Sequence, residues 1–423
     1  MWRWLLICAA AAAGVVLVLV IQNLIPANKM LQHPVPSQMQ SSDPAFARTM
    51  SAQSNGAALG ANSIDTLVNG DEIFSAMLEA ITAARSTINF ETYIYWSGEI
   101  GLTFAEALAE RSRSGVEVRL LVDWAGSIPF DQKLIDLMTG AGVSFHRYRP
   151  IRWYTIDRVN NRTHRKLLIV DGKVGFTGGV GIADKWRGNA RNTDEWRDTH
   201  YRIAGPVVAS LQSAFSENWL ETTGEVIQGQ KFFPDPEPAG DVPAQVVLSS
   251  QPEGSRALHQ LMLLAISAAE SHIRIGMAYF VPDDVMLLQL IEARKRGVEI
   301  DIVVPNGNTD VPMVRHSSRY FWGDLLAAGI RIHEFQPTMY HPKLLIVDRA
   351  WVCFGSANMD ERSLRLNDEA NLNVYHEGFA DRQIEVFEDD LKRARQISLE
   401  EWRSRPISQK LGDWFASLFR SQL

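Results

Sequence analysis

Two short stretches bring together the residue types best suited to chemistry. His341-Pro342-Lys343 leads into the apolar run 344–347, and His164-Arg165-Lys166 leads into the apolar run 167–170. In an extended chain residues i and i+2 share a face, so each His points with its Lys. A neutral imidazole can attack an electrophile or carry a proton, and a fixed ammonium beside it can hold an anion. Asp171 and Asp348 follow at equal spacing, and then come Gly178-Gly179-Val180-Gly181 and Gly355-Ser356-Ala357-Asn358. Small residues there let backbone amides, and the Ser and Asn side chains, approach a ligand closely. A lone surface His-x-Lys is usually a solvated strand edge. The equally spaced pair is what points to a site.

The elements that must position these residues are repeated too. Residues 80–84 and 88–95 read as a helix and then an alternating strand, and 265–269 and 273–280 answer them in the same order. Gly115-Val116-Glu117-Val118 is matched by Gly297-Val298-Glu299-Ile300, and Ala141-Gly142-Val143 by Ala328-Gly329-Ile330. The offsets run from 177 to 187 residues, which argues for a duplicated α/β unit. Amphipathic helices are predicted around 104–111 and 285–295, between short apolar strands, as in a sheet flanked by helices. The proline-dense stretch 232–238 is the expected join.

His-x-Lys, four residues, Asp, six residues, then Gly-Gly or Gly-Ser is similar to the signature of the phospholipase D superfamily. Two copies behind an apolar N-terminal segment resemble the bacterial cardiolipin synthases in particular, over about residues 70–380. The resemblance implies two α/β/α sandwich lobes with pseudo-two-fold symmetry that bring both motifs to one site. It implies a phosphohistidine mechanism, with His164 as nucleophile and His341 as general acid and base; the residues themselves leave the reverse assignment open. Lys166 and Lys343 would supply charge to the phosphoryl oxygens, so neither a metal nor a cofactor is expected. Each imidazole needs a partner for its other nitrogen. The family pattern offers Glu369, 28 residues after His341, and Asp198, 34 residues after His164, with Asp194 and Glu195 as competitors. Asp171 and Asp348 belong to the motif and are counted with the catalytic set, although Asp171-Gly172 reads as a turn pair that supports the site from beneath. Gly179, Ser356 and Asn358 are the expected phosphate binders. Gly181 stands where the second copy has Asn358, and losing a donor there could cost ~3 kcal/mol of transition-state stabilisation.

Other features bear on the substrate. Residues 5–21 form an unbroken apolar run of 17, about 26 Å as a helix, and Trp2 and Trp4 extend it. We read residues 1–22 as a membrane anchor rather than a cleaved signal peptide, and residues 23–69 as a flexible linker, polar and rich in Pro. Residues 70–235 and 236–380 are the expected lobes, and 381–423 a helical tail. Between His146 and Lys166 lies a stretch without a counterpart in the second copy. Arg147, Arg149, Arg152, Arg158, Arg162, Arg165 and Lys166 face a single acid there, Asp157, beside Trp153 and Tyr154. That composition suits an anionic lipid surface. Leu411, Trp414, Phe415, Leu418 and Phe419 share one helical face, fit either for a membrane interface or for packing on the body.

The 423 residues carry 42 basic and 49 acidic side chains, a net charge of -7, which argues against a nucleic-acid partner. Two cysteines exclude a disulfide framework. The expected function is a phosphatidyltransferase at the bacterial cell membrane, with phosphatidylglycerol as the suspected donor. A phospholipase D releasing phosphatidic acid is the alternative, and a non-catalytic lipid-binding relative a distant third. The oligomeric state is open, since one chain already holds both motifs.

Overall fold

The computed structural model describes residues 2–9, 14, 33–54, 56–151, 160–249 and 257–423. Its framework is one continuous sheet of 15 strands. The first half supplies β1 (Leu59–Val68), β2 (Thr87–Thr92), β3 (Glu117–Asp123), β4 (Ser144–Tyr148), β5 (Leu167–Val170), β6 (Val174–Gly178) and β7 (Thr199–Ala204). The second supplies β8 (Val242–Ser249), β9 (His272–Met277), β10 (Glu299–Pro305), β11 (Arg331–Phe335), β12 (Lys343–Val347), β13 (Trp351–Gly355), β14 (Glu369–Val374) and β15 (Ala394–Ile397). From the centre outward the first half reads β1-β7-β6-β5-β2-β3-β4 and the second β8-β14-β13-β12-β9-β10-β11, closed by β15.

The pairing senses match as well. β2, β3 and β4 are mutually parallel, as are β9, β10 and β11, and the hairpins β5–β6 and β12–β13 run against them. Duplication is therefore visible strand by strand. The inner strands are buried on both faces and carry unbroken apolar runs such as 167–170 and 344–347. One apolar core lies under each half. A third, holding Tyr148, Trp219, Tyr340 and Phe387, draws on both halves and fuses them.

The segment expected to be a flexible linker is ordered wherever it is described. Residues 59–68 form β1 at the centre of the sheet, hydrogen-bonded to β7 and β8. Phe46 and Met50, on the helix Phe46–Gln53, are buried in the second core. Val35 N donates to Gln289 Oε1 at 2.7 Å, and Ser41 Oγ to Asp348 Oδ2 at 2.5 Å. A polar strand gains little from burial, but two flanking ladders satisfy its backbone.

The tail also differs from expectation. Ala394–Ile397 joins the sheet as β15, and the helix Glu377–Lys392 buries Phe379, Val386 and Phe387, so this part of the tail belongs to the body of the second half. The helix Ile407–Ser417 turns Asp413 inward to His316, Arg319 and Arg405. Its apolar face points away from the body, with Leu411 60% and Leu418 59% exposed, and Trp414 and Phe415 about half. Among the described residues no helix is long and apolar enough to cross a membrane. Most of the apolar run 5–21 lies outside the described residues.

Candidate active site

β5 runs antiparallel to β2, so His164, just before β5, emerges where β2 and its parallel neighbours end. His341, just before β12, does the same beside β9. Two short bridges then lock each histidine to the opposite half. His164 N donates to Asp368 O (2.9 Å) and Asp368 N to Arg162 O (2.9 Å). His341 N donates to Arg197 O (2.8 Å) and Arg197 N to Met339 O (3.0 Å). The residue after each bridge is a carboxylate, and it reaches the imidazole across the interface. His164 Nδ1 lies 2.9 and 3.0 Å from the Glu369 oxygens, and His341 Nδ1 lies 2.7 Å from Asp198 Oδ2. The four residues form two crossed pairs, each built from both halves.

Both carboxylates are fully enclosed. Glu369 also accepts from Ser356 Oγ at 2.5 Å, and Asp198 from Trp186 Nε1 at 2.9 Å. Burial alone would raise them. Their imidazoles and the nearby ammonium groups outweigh it and hold both carboxyls below the ordinary range. Burial drives the imidazoles the other way: His164 falls to about 4, and His341 falls under burial and the adjacent Lys343. Neutral rings with Nδ1–H on a carboxylate leave Nε2 as the reactive nitrogen. Lys166 Nζ and Lys343 Nζ each donate to the carbonyl of the histidine two residues back, at 2.7 Å. Burial lowers Lys166 to about 7 and Lys343 to about 8. His164, Lys166 and His341 line one cavity of about 620 Å³.

Comparisons with known proteins agree with this arrangement. A family model described as cardiolipin synthase, PLD-like domain, matches residues 77–219 and 262–391. Cardiolipin synthase 2 of Bacillus anthracis is 32% identical over 82% of this chain and 68% of its own length. Cardiolipin synthase A of Pseudomonas putida (strain GB-1) is 33% identical over 88% of this chain and 78% of its own. The chain belongs to the phospholipase D-like cardiolipin synthase family. That makes it an enzyme of a phosphatidyltransferase family. The fold is shared with a phosphatidylserine synthase of Haemophilus influenzae at TM-score 0.64 and 14% identity, over 89% of this chain and 100% of the other.

Within the family motif the structure separates the expected residues into groups. Asn358 lines the cavity with its Oδ1 buried and unbonded. Gly179 and Ser356 stand behind the carboxylates. A Cβ at Gly179 would fall 2.2 Å from Asp198 Oδ1, so glycine makes room for the carboxylate, and Ser356 instead bonds to Glu369. Asp171 and Asp348 lie at the far ends of β5 and β12, away from the imidazoles. Asp171 accepts from the amides of Arg85, Ser86 and Thr87, and Asp348 from those of Glu270, Ser271 and His272. They clamp each hairpin turn to the preceding helix-to-strand loop. A Cβ at Gly181 would sit 2.9 Å from Ile94 Cβ. Ile94 fills the space that an asparagine would need.

Among the described arginines of the basic insert, Arg149, Arg162 and Arg165 are turned inward and Arg147 is half-buried. Arg149 forms a two-pronged pair with Glu221 at 2.7 and 2.8 Å, and Arg165 is buried on Ala214 O and Glu217. Pairing with acids keeps them inside. Arg152, Trp153, Tyr154, Asp157 and Arg158 lie outside the described residues. Sequence reading missed the cavity's other walls: Tyr93, Trp186 and Trp196, the pair Tyr279–Asp310 (2.7 Å), Asp360 and Arg362. Asp360 and Arg362 follow Asn358 by two and four residues, a proximity that could have flagged them.

Proposed function

We propose that the chain transfers a phosphatidyl group from phosphatidylglycerol to the hydroxyl of a second lipid alcohol. The observation that carries this is the pair of imidazoles, each held by a carboxylate of the other lobe, over one cavity that Lys166 also lines. In the first step His164 Nε2 attacks phosphorus, the bond to the glycerol oxygen breaks, and His341 gives that oxygen a proton. The incoming anionic phosphodiester favours the protonated His341 that this step needs. In the second step neutral His341 takes the proton of the acceptor hydroxyl, whose oxygen displaces the imidazole of His164. Lys166 and Lys343 stabilise the charge on the non-bridging oxygens throughout. Splitting the displacement in two lowers each barrier.

A membrane location follows from the apolar run 5–21 as a single anchor and from the exposed face of Ile407–Ser417. Gln422 and Leu423 line the cavity a few residues beyond Phe419. Ile128, 65% exposed, lies on the same rim. These apolar groups suit a cavity that takes lipid headgroups from a bilayer. The test is purified protein in mixed micelles with phosphatidylglycerol alone, read by mass spectrometry. Cardiolipin plus glycerol is the expected result. Phosphatidic acid alone would make water the acceptor and replace the transferase reading with the hydrolase.

A further inference from the structure

The cavity has two unlike ends. Around His341 the walls are aromatic, with the Trp186 and Trp196 rings 5.4 and 5.6 Å away. Beyond His164 they are charged, with Arg162 and Arg362 beside Asp360. The Tyr93 ring lies 5.2 Å from His164; burial and the Asp123 charge raise its phenol against the opposing charges of Arg362 and Arg162, which line the same cavity. Arg162 is buried. Its Nε donates to Asn161 O and its Nη2 to Arg149 O, both at 2.9 Å. Its Nη1 has no acceptor among the described residues. The nearest carboxylate oxygen, Asp123 Oδ1, is 3.7 Å away and already accepts from the amides of Ala125 and Gly126. A buried charged donor without an acceptor is costly and calls for an explanation. Arg362 is fixed on Asn160 and Gln422 O, so both guanidinium groups are braced around the segment that closes the insert unique to the first lobe.

We infer that Arg162 and Arg362 form an anion subsite that holds the phosphodiester of the acceptor lipid while its glycerol hydroxyl reaches the phosphohistidine. This rests on the transferase reading above. An acceptor such as phosphatidylglycerol carries its own phosphate one glycerol bridge from the attacking hydroxyl, and both arginines line the same cavity as His164. In the second step the bond between phosphorus and His164 Nε2 breaks, the new bond forms to the acceptor oxygen, and the proton passes to His341. The subsite's anion takes part in none of these changes. It selects which alcohol arrives.

The test is a competition at the phosphatidyl-enzyme. Full-length protein receives phosphatidylglycerol together with monoacylglycerol, an uncharged lipid alcohol, in mixed micelles. The measured quantity is the ratio of cardiolipin to acyl phosphatidylglycerol. Donor cleavage precedes the choice of acceptor, so the ratio isolates the subsite from the rest of the reaction. Arg162→Gln and Arg362→Gln are each expected to lower the ratio about tenfold, the loss of one charge-assisted contact, and Arg162→Lys to recover part of it. A ratio unchanged in both Gln variants overturns the subsite, whatever the total rate. Should Arg162→Gln fail to fold, the partly exposed Arg362 carries the same test. No consumption of phosphatidylglycerol by the wild type would overturn the transferase reading, and the subsite with it.

Discussion

The two lobes share a strand order and differ in what they place around their histidines. In the first, Gly181 and Ile94 stand where the second has Asn358 and Tyr279, and Trp186 and Trp196 lean over the imidazole of the opposite lobe. In the second, Asn358, Asp360 and Arg362 give the cavity a polar wall, which the first lobe's Arg162 completes. The sheet keeps its symmetry because backbone pairing demands it. The cavity walls are free of that demand, and there the two lobes have diverged.

The comparison can be broken at several points. The largest effect belongs to the imidazoles. His164→Ala and His341→Ala should each lower turnover by ~10⁴-fold or more. Acid-quenched labelling with radioactive lipid then separates the roles, because only His341→Ala should still accumulate a phosphoenzyme. Next come the crossed carboxylates. Asp198→Asn and Glu369→Gln should each cost about 10²–10³-fold in kcat by loosening the imidazole of the other lobe. Asp198→Asn should mimic a His341 defect and Glu369→Gln a His164 defect, and the reverse pattern would undo the crossed pairing.

A third prediction concerns pH. Burial puts Lys166 at about 7 and Lys343 at about 8, so each ammonium is lost as pH rises through that value. The cation on the phosphoryl oxygens goes with it, and kcat/KM of the free enzyme should fall on the alkaline side in two stages, Lys166 first. An arginine at 166 stays charged and should remove the earlier stage. The smallest effect is steric. Gly181→Asn restores the missing symmetry, but its Cβ meets Ile94 at 2.9 Å. Overpacking of this kind costs about 1–3 kcal/mol, seen as a lower Tm. Trimming Ile94→Ala in the same chain should recover most of it.

The sequence made the duplication and the paired motifs legible because both depend on local spacing. Strand periodicity put His164 with Lys166 and His341 with Lys343, and glycine and apolar runs marked the repeated elements. The crossed pairing was hidden. Counting 28 and 34 residues finds Glu369 and Asp198, yet which histidine each serves is decided where the lobes meet. Gly179 and Ser356 were assigned to phosphate because small residues allow close approach, but the close neighbour is a carboxylate. β1 escaped notice because its polar pattern carries no apolar period; it is held by ladders on both edges. Arg149 and Arg165 looked like a surface because their acidic partners, Glu221 and Glu217, lie more than 50 residues away in the chain.

The crossed carboxylates also bear on how the chain behaves before it is finished. A polypeptide that has completed its first lobe owns an imidazole and a lysine but lacks the partner that fixes the ring, since Glu369 is made some 200 residues after His164. A half-built chain therefore holds His164 without the carboxylate that orients it. The imidazole of the first lobe gains its partner only with β14, so the site is completed by the strands made last.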